Sequence, residues 1–283
     1  MSKTIRVIPR LDIKGPNVVK GIHLEGLRVM GKPSDFARHY YHEGADELLF
    51  MDVVASLYER NSLHDIISET AKSIFIPITV GGGLRTLEDM SAVLRAGADK
   101  VCLNTAAIKN PEIIKSASLK FGSSTIVIAI ETTREKNGQY LAYTDNGREY
   151  TGIDAVQWAQ QAAELGAGEL IITSVDKEGT GEGYDIELVR QIADLVNIPV
   201  VAHGGAGKAS DIIDVIRDGH ADAVSMASIL HYNYVANNES GAHSSDEGNV
   251  EFLKSKRGFK NFESCNLAAI KKKMAESHIP CRI

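Results

Sequence analysis

The chain has 283 residues, 43% of them hydrophobic and 24% charged, so it can bury a large core and fits neither the disordered nor the collagen-like class. Its net charge of −6 has the wrong sign for a nucleic-acid-binding protein. The chain has no apolar stretch of about 18 residues, no signal-peptide core and no closely spaced cysteines, so we expect a cytoplasmic protein with free thiols and no membrane partner.

Eight short runs rich in Val, Ile and Leu follow one another, and turn residues and a stretch with helical spacing follow most of them. The predicted strands are residues 5–12, 47–52, 76–80, 100–104, 125–131, 169–174, 198–203 and 223–227. The predicted helices are residues 34–44, 62–74, 86–97, 110–121, 153–166, 185–196 and 209–219. Eight parallel strands with helical crossovers predict a (β/α)8 TIM barrel.

The barrel is expected to form a single domain over residues 1–283, since this fold routinely needs about 250 residues. Residues 232–261 are rich in Gly, Ser, Asn and mixed charges, with few apolar side chains. This composition predicts a flexible polar insertion before a last amphipathic helix near residues 262–277, and not a second domain.

Three segments recur about 122 residues further along the chain. GADELLFMD at 44–52 resembles GAGELIITS at 166–174, IPITVGGG at 76–83 resembles IPVVAHGG at 198–205, and GADKVCLNTAAI at 97–108 resembles HADAVSMASIL at 220–230. The repeat predicts a barrel made of two similar half-barrels, with equivalent groups on opposite sides. The alternative is that all strand–helix units merely share their use of Gly and Ala.

Active sites of such barrels lie at the mouth, the end where the strands have their carboxyl termini. Glycine-rich turns at 81–83 and 204–207 end one strand in each half, and each precedes a helix. Free N–H groups in such turns can hold a phosphate, so the pair predicts a ligand with a phosphate at each end. The alternative is that the glycines only make tight turns.

Two carboxylates also end strands at the mouth, Asp12 on the first strand and Glu131 on the fifth. They are predicted to face each other and to act as general acid and general base on one substrate. A metal site is the rival interpretation, but no Cys–His cluster with ligand spacing accompanies them, and we expect no metal. Capping of the next helix or a structural ion pair is the other alternative.

Six motifs together resemble a known family in order from about residue 4 to 231: RLDIKG with VVKG (10–21), DELLFMDVVAS (46–56), TVGGG (79–83), ADKVCLNTAA (98–107), LIITSVDKEGT (170–180) and GGAGK (204–208). The family is the cyclase subunit of imidazole glycerol phosphate synthase. The resemblance implies a histidine-pathway lyase without a cofactor that takes ammonia from a glutaminase subunit in a heterodimer. Its bis-phosphorylated formimino-aminoimidazole ribulosyl substrate would give imidazole glycerol phosphate and an aminoimidazole carboxamide ribotide.

The resemblance also assigns roles to residues. Asp12 and Glu131 take the places of the acid and base, and Lys20 lies on a mobile first loop that closes over the substrate. The implied phosphate and mouth residues are Gly83, Asn104 and Thr105 for one phosphate, Gly179, Gly205, Ala227 and Ser228 for the other, and Asp52 and Thr173 beside them. At the opposite face, the implied gate of an ammonia channel and docking surface comprises Arg6, Glu47, Lys100 and Glu169. Any one of these charges alone would ordinarily be solvated surface.

Three mouth residues depart from the family pattern: Glu131 and Glu178 replace aspartates, and His203 replaces a small hydroxyl residue. The extra methylene of Glu131 moves its carboxyl by about 1.5 Å, and a misplacement of about 1 Å can lower a rate about 10²-fold. His203 is either a neutral wall residue or a proton carrier. On the first loop, Pro16 is expected to add stiffness.

These departures motivate an alternative function, a paralogue that delivers ammonia to a phosphorylated or nucleotide-linked sugar, as in surface-polysaccharide amidation. The sister sugar isomerase of histidine synthesis is also a half-barrel duplication, but the first loop and the charges at the opposite face argue against it. The alternative without enzyme activity is a barrel that only activates a glutaminase. The intact phosphate turns and Asp12 argue against that alternative.

Overall fold

The computed structural model describes residues 3–55, 63–237 and 262–283. Its strands are β1 Arg6–Lys14, β2 Asn17–Ile22, β3 Glu25–Gly31, β4 Leu48–Asp52, β5 Ile78–Gly81, β6 Lys100–Leu103, β7 Ile126–Arg134, β8 Tyr140–Thr144, β9 Glu149–Asp154, β10 Glu169–Ser174, β11 Val200–His203 and β12 Ala223–Met226. Eight of them pair in the order β10-β11-β12-β1-β4-β5-β6-β7, and β10 also pairs with β7. All eight pairings are parallel, so the sheet closes into the predicted (β/α)8 TIM barrel.

Helices surround the barrel. They are α1 Pro33–His42, α2 Leu63–Thr70, α3 Leu87–Ala96, α4 Thr105–Lys109, α5 Glu112–Phe121, α6 Ala155–Glu164, α7 Ile186–Ala193, α8 Ala209–Arg217, α9 Ser228–Asn237 and α10 Leu267–Glu276. The sequence predicted all except α4 and α9, which begin almost directly after β6 and β12. In the described ranges, no helix is both long enough and apolar enough to cross a membrane.

Each half of the barrel carries an antiparallel extension at the mouth that the sequence analysis missed. β2 pairs with β1 and β3 with β2, while β8 pairs with β7 and β9 with β8. The extensions follow the first strand of each half, which supports the two half-barrels. The second turn contains Asn146-Gly147 with φ of 62° and 75°, and such a pair is a strong hairpin signal that could have identified this extension.

The barrel interior is built from alternate residues of each strand, because successive side chains of a strand point to opposite faces. An apolar cluster fills its middle: Ile8, Leu49, Met51, Cys102, Val127, Ala129, Ile171, Val201 and Ala223 are among its members. The intervening residues of the strands pack outward against the helices. Burial raises the pKa of the Cys102 thiol to about 12, so this cysteine is unreactive.

The predicted insertion begins later than expected, because α9 continues through Asn237. Residues 238–261 lie outside the described residues, and the insertion stays a prediction there. The last helix, α10, is anchored to the bottom of the barrel. Lys271 Nζ donates to Gly44 O at 2.6 Å and to Asp46 Oδ1 at 2.8 Å.

Candidate active site

Asp12 and Glu131 occupy equivalent positions in the two half-barrels and lie on opposite sides of the mouth. Their strands, β1 and β7, are four strands apart in either direction around the barrel. Both side chains are buried, Asp12 at 2% exposure and Glu131 at 4%. Burial makes the protonation state of each carboxyl depend on its immediate neighbours.

The neighbours of Asp12 are cations. Arg10 Nε donates to Asp12 Oδ1 at 2.7 Å, and Lys20 Nζ lies 3.7 Å from Asp12 Oδ2. Lys20 also donates to Glu178 Oε1. Burial alone would raise the pKa of Asp12, but Arg10 and Lys20 outweigh it and hold that pKa below its ordinary value. Asp12 is therefore ionised at neutral pH.

Glu131 is surrounded differently, by neutral donors. Its Oε2 accepts from Gly147 N at 2.8 Å and from Asn104 Nδ2 at 3.0 Å. Burial raises the pKa of Glu131 to about 7, against the opposing effects of the Arg10 charge and the Gly147 hydrogen bond. Near neutral pH Asp12 is thus ionised while Glu131 is about half protonated, so that one can accept a proton and the other can donate one.

Lys20 lies on the β2–β3 hairpin, which is folded down across the mouth. His23 N donates to Glu178 O at 2.8 Å, and Asn146 Nδ2 donates to Leu24 O at 3.1 Å. The first contact joins the hairpin to the loop after β10, and the second joins it to the β8–β9 turn. Lys20, on the side of the hairpin that faces Asp12, is consequently only 2% exposed.

A cavity of about 340 Å³ lies beside Glu131. The residues predicted to bind the first phosphate all line it: Gly83, Asn104 and Thr105. Asp52 lines it as well. Its glycine turn is sterically required. A Cβ on Gly82, whose φ is 95°, would lie 2.2 Å from the backbone oxygen of Asp52. The chain backbone therefore forms one wall of the cavity.

A second cavity lies on the other side of the mouth. It is lined by the residues predicted to bind the second phosphate, Gly179, Gly205, Ala227 and Ser228, together with His203 and Glu178. Its volume is only about 10 Å³, the space of about one water molecule. A phosphate could enter it only after the surrounding loops move. Asp12, Lys20 and Thr173 line neither cavity.

His203 is a neutral residue of this second cavity. Burial lowers its pKa to about 4, although Glu178 opposes the change. Its Nε2 lies 3.3 Å from Glu178 Oε2 but without hydrogen-bond geometry, and neither ring nitrogen has a hydrogen-bond partner among the described residues. This environment favours the interpretation of His203 as a neutral residue in the cavity wall over that of a proton carrier at neutral pH.

The opposite face of the barrel carries a closed ring of ion pairs made by Arg6, Glu47, Lys100 and Glu169. Arg6 Nη1 lies 2.8 Å from Glu47 Oε2 and also pairs with Glu169. Lys100 Nζ lies 2.9 Å from Glu47 Oε2 and 2.8 Å from Glu169 Oε2. The two acids are almost fully buried, while Arg6 and Lys100 are 29% and 19% exposed at their side chains. The ring thus presents its cations to the outside.

Arg10 is the main site residue that the sequence analysis missed. Its guanidinium touches Asp12, and its charge also acts on Glu178 and Glu131. The available signal was the period of two along β1, which places residues 10 and 12 on the same inward face.

The profile of the histidine biosynthesis protein family matches residues 6–236 of the chain. The chain belongs to this family, as its closed barrel and opposed mouth carboxylates would lead one to expect. The imidazole glycerol phosphate synthase subunit HisF of Legionella pneumophila is 55% identical over 207 residues, which cover 73% of this chain and 98% of the relative. Proteins of the same name from Alkaliphilus metalliredigens and Prochlorococcus marinus are 47% and 49% identical and cover 82% and 80% of this chain and 92% and 90% of the relatives.

Proposed function

We propose that the protein is the cyclase subunit of imidazole glycerol phosphate synthase, a lyase of histidine biosynthesis. The observation that carries the proposal is the pair of opposed, buried carboxyls, one beside two cations and the other bonded to neutral donors, set between two glycine-walled cavities. The relatives named above carry the synthase name. None of them favours the sugar-amidating paralogue.

In this proposal the two carboxyls divide the proton transfers. Ammonia gains positive charge as its nitrogen attacks an electrophilic carbon, and ionised Asp12 is suited to take a proton from it. Glu131, with a pKa of about 7, is half protonated at neutral pH and is suited to donate a proton to the group that leaves. Asn104 and Gly147 hold Glu131 in place for that step.

The two cavities would receive the two phosphates of the substrate, so that the reacting atoms lie between them and between the carboxyls. Gly83, Asn104 and Thr105 would hold one phosphate, and Gly179, Gly205, Ala227 and Ser228 the other. The β2–β3 hairpin would open to admit the substrate and close to exclude water, which competes with ammonia for the electrophile. Its movement is also what would enlarge the second cavity.

The ring of Arg6, Glu47, Lys100 and Glu169 would form the entry for ammonia from a glutaminase subunit in a heterodimer. Between the ring and the mouth the interior is apolar, a medium that neutral ammonia can cross and a hydrated ion cannot easily enter. The two cations of the ring, which are partly exposed, are suited to select the partner through its acidic groups.

The direct test of the function is ammonia-dependent disappearance of the formimino intermediate's absorbance with purified protein. We expect a turnover of the order of 1 s⁻¹ or more at saturating substrate. A rate equal to the background, with folded protein, would exclude the cyclase and leave the sugar-amidating paralogue as the candidate.

The partner face can be tested by reversing one charge. Lys100→Glu would place a third acid between Glu47 and Glu169 and break the ring. We expect glutamine-dependent product formation to fall about tenfold or more, because buried interface charges without partners are strongly unfavourable. Turnover with free ammonia should stay near that of the unmodified protein.

The measurement compares both rates in the presence of the glutaminase. Lys115→Glu, on the exposed surface of α5, is the matched control and should change neither rate. Unaltered coupling in Lys100→Glu would show that the ring is ordinary surface.

A further inference from the structure

Arg10 is a cation inside the barrel that the proposed chemistry has not yet used. It stands on β1 between Ile8, in the apolar interior, and Asp12, at the mouth, and it is 1% exposed. A buried guanidinium is strongly unfavourable unless it is paired and hydrogen-bonded. Its Nε is paired with Asp12, whereas its Nη2 is buried without a hydrogen-bond partner in the described part of the chain. Such an arrangement is typical of a functional site.

The two half-barrels differ at this position. Asp12 and Glu131 lie two and three residues before the ends of β1 and β7. The inward residue two places before each is Arg10 in one half and Ala129 in the other. The apolar Ala129 gives Glu131 no charged neighbour on its own strand. The repeated scaffold therefore supplies one carboxyl with a cation and leaves the other without one.

The ion pairs beside Asp12 balance without a contribution from Glu131. Arg10 and Lys20 are the two cations of this cluster, and they contact its two acids, Asp12 and Glu178. Among the described residues, Glu131 has hydrogen bonds from the neutral donors Asn104 and Gly147 and no ion pair. A charge on Glu131 would therefore have no cation in direct contact, although the charge of Arg10 still acts on it.

Further titratable groups surround the two carboxyls. They are His203 on β11, His231 on α9, Asp52 on β4, Asp145 in the β8–β9 turn and Cys102 on β6. Burial lowers the pKa of His203 to about 4 and that of His231 to about 3, so both rings are neutral. Asp145 adds negative charge on the side of Glu131, which further disfavours ionisation there.

We infer that Arg10 is a positioning residue that assigns the two carboxyls their roles: through Nε it holds Asp12 in one orientation as the anion, and it leaves Glu131 as the carboxyl with the exchangeable proton. The inference deepens the proposed function and rests on it for its kinetic consequences. The competing explanation is that Arg10 only fills space in the barrel.

The test is the pH dependence of kcat/KM for free ammonia, corrected for the fraction present as NH₃, in Arg10→Gln and Arg10→Lys. The unmodified protein should lose activity at low pH as Asp12 is protonated, and at high pH as Glu131 is ionised. In Arg10→Gln we expect the low-pH limb to move up by about one pH unit or more, since Asp12 has lost its nearest cation. Arg10→Lys keeps the charge and should restore most of the limb.

A role in packing alone would lower the rate of Arg10→Gln equally at every pH, and limbs that did not move would overturn the inference. Arg38→Gln, an exposed arginine on α1, is the matched control and should leave the whole profile unchanged.

A second measurement needs neither turnover nor a stable variant at position 10. Carboxyl ¹³C NMR of the unmodified protein, with signals assigned from Asp12→Asn and Glu131→Gln, should show Asp12 titrating below the ordinary range of aspartate and Glu131 titrating near pH 7. Equal titration of the two carboxyls would overturn the inference. If the two carboxyls titrated separately but the protein had no cyclase activity, the inference about Arg10 would stand and the proposed function would be rejected.

Discussion

Asp12→Asn is expected to lower ammonia-dependent turnover by about 10²- to 10⁴-fold, the usual loss when a general acid or base is removed. Asparagine has nearly the same shape, and its amide oxygen can still accept from Arg10 Nε, so the fold and the docked hairpin should persist. It cannot take a proton from ammonia. Substrate binding should therefore change only a few-fold, since Asp12 lines neither cavity.

The measurements are steady-state rates with free ammonia and substrate affinity by calorimetry. Asp176→Asn is the matched control, because this exposed aspartate lies at the same end of the barrel and accepts a hydrogen bond from the backbone N–H of Arg134, outside the Asp12 cluster. Its rate should stay near that of the unmodified protein. An Asp12→Asn enzyme that turned over at the original rate would remove Asp12 from the mechanism.

Glu131→Asp is expected to lower turnover of the histidine-pathway intermediate by about 10²-fold. The longer side chain reaches two donors, Gly147 N and Asn104 Nδ2, whose positions are set by the β8–β9 turn and the end of β6. An aspartate carboxyl would be withdrawn by about 1.5 Å and would lose at least one of these hydrogen bonds. The site is thus built around glutamate.

The comparison uses equal concentrations of both proteins and the absorbance of the intermediate. Glu135→Asp shortens a carboxylate further along the same chain segment, beyond the end of β7, and should have no effect on the rate. A higher rate in Glu131→Asp than in the unmodified protein would indicate that Glu131 serves a different substrate, as the sugar-amidating paralogue requires.

The sequence was sufficient for the barrel because every barrel strand is a short apolar run closed by turn residues, and those signals are local. The β2–β3 and β8–β9 extensions were missed. The β8–β9 turn contains the hairpin pair Asn146-Gly147, whereas the β2–β3 turn is made by His23 and Leu24, whose residue types do not signal their positive φ. Barrel strands are recognised as runs of apolar residues that are buried on both faces. The strands of the two extensions lack such runs, because they are buried by packing on the mouth of the barrel.

The strand-end rule located Asp12 and Glu131, but it could not predict how they differ. Their difference comes from Arg10 and Lys20, which lower the pKa of Asp12, and from the burial of Glu131, which raises the pKa of that carboxyl. The sequence could not predict the small volume of the second cavity either. It depends on contacts between the first hairpin and the loop after β10, over 150 residues apart in the chain.

Residue 178 holds the first hairpin twice, by its carboxylate to Lys20 and by its backbone oxygen to the N–H of His23. If the hairpin lifts in the proposed reaction cycle, it takes the ammonium group of Lys20 away from Asp12 and admits water to both. Asp12 would then keep one of its two cations, which raises its pKa and lets it hold the captured proton while the products leave. When the hairpin closes over new substrate, the returning Lys20 would lower that pKa and favour release of the proton, so the movement that fills the mouth would also restore its starting charge.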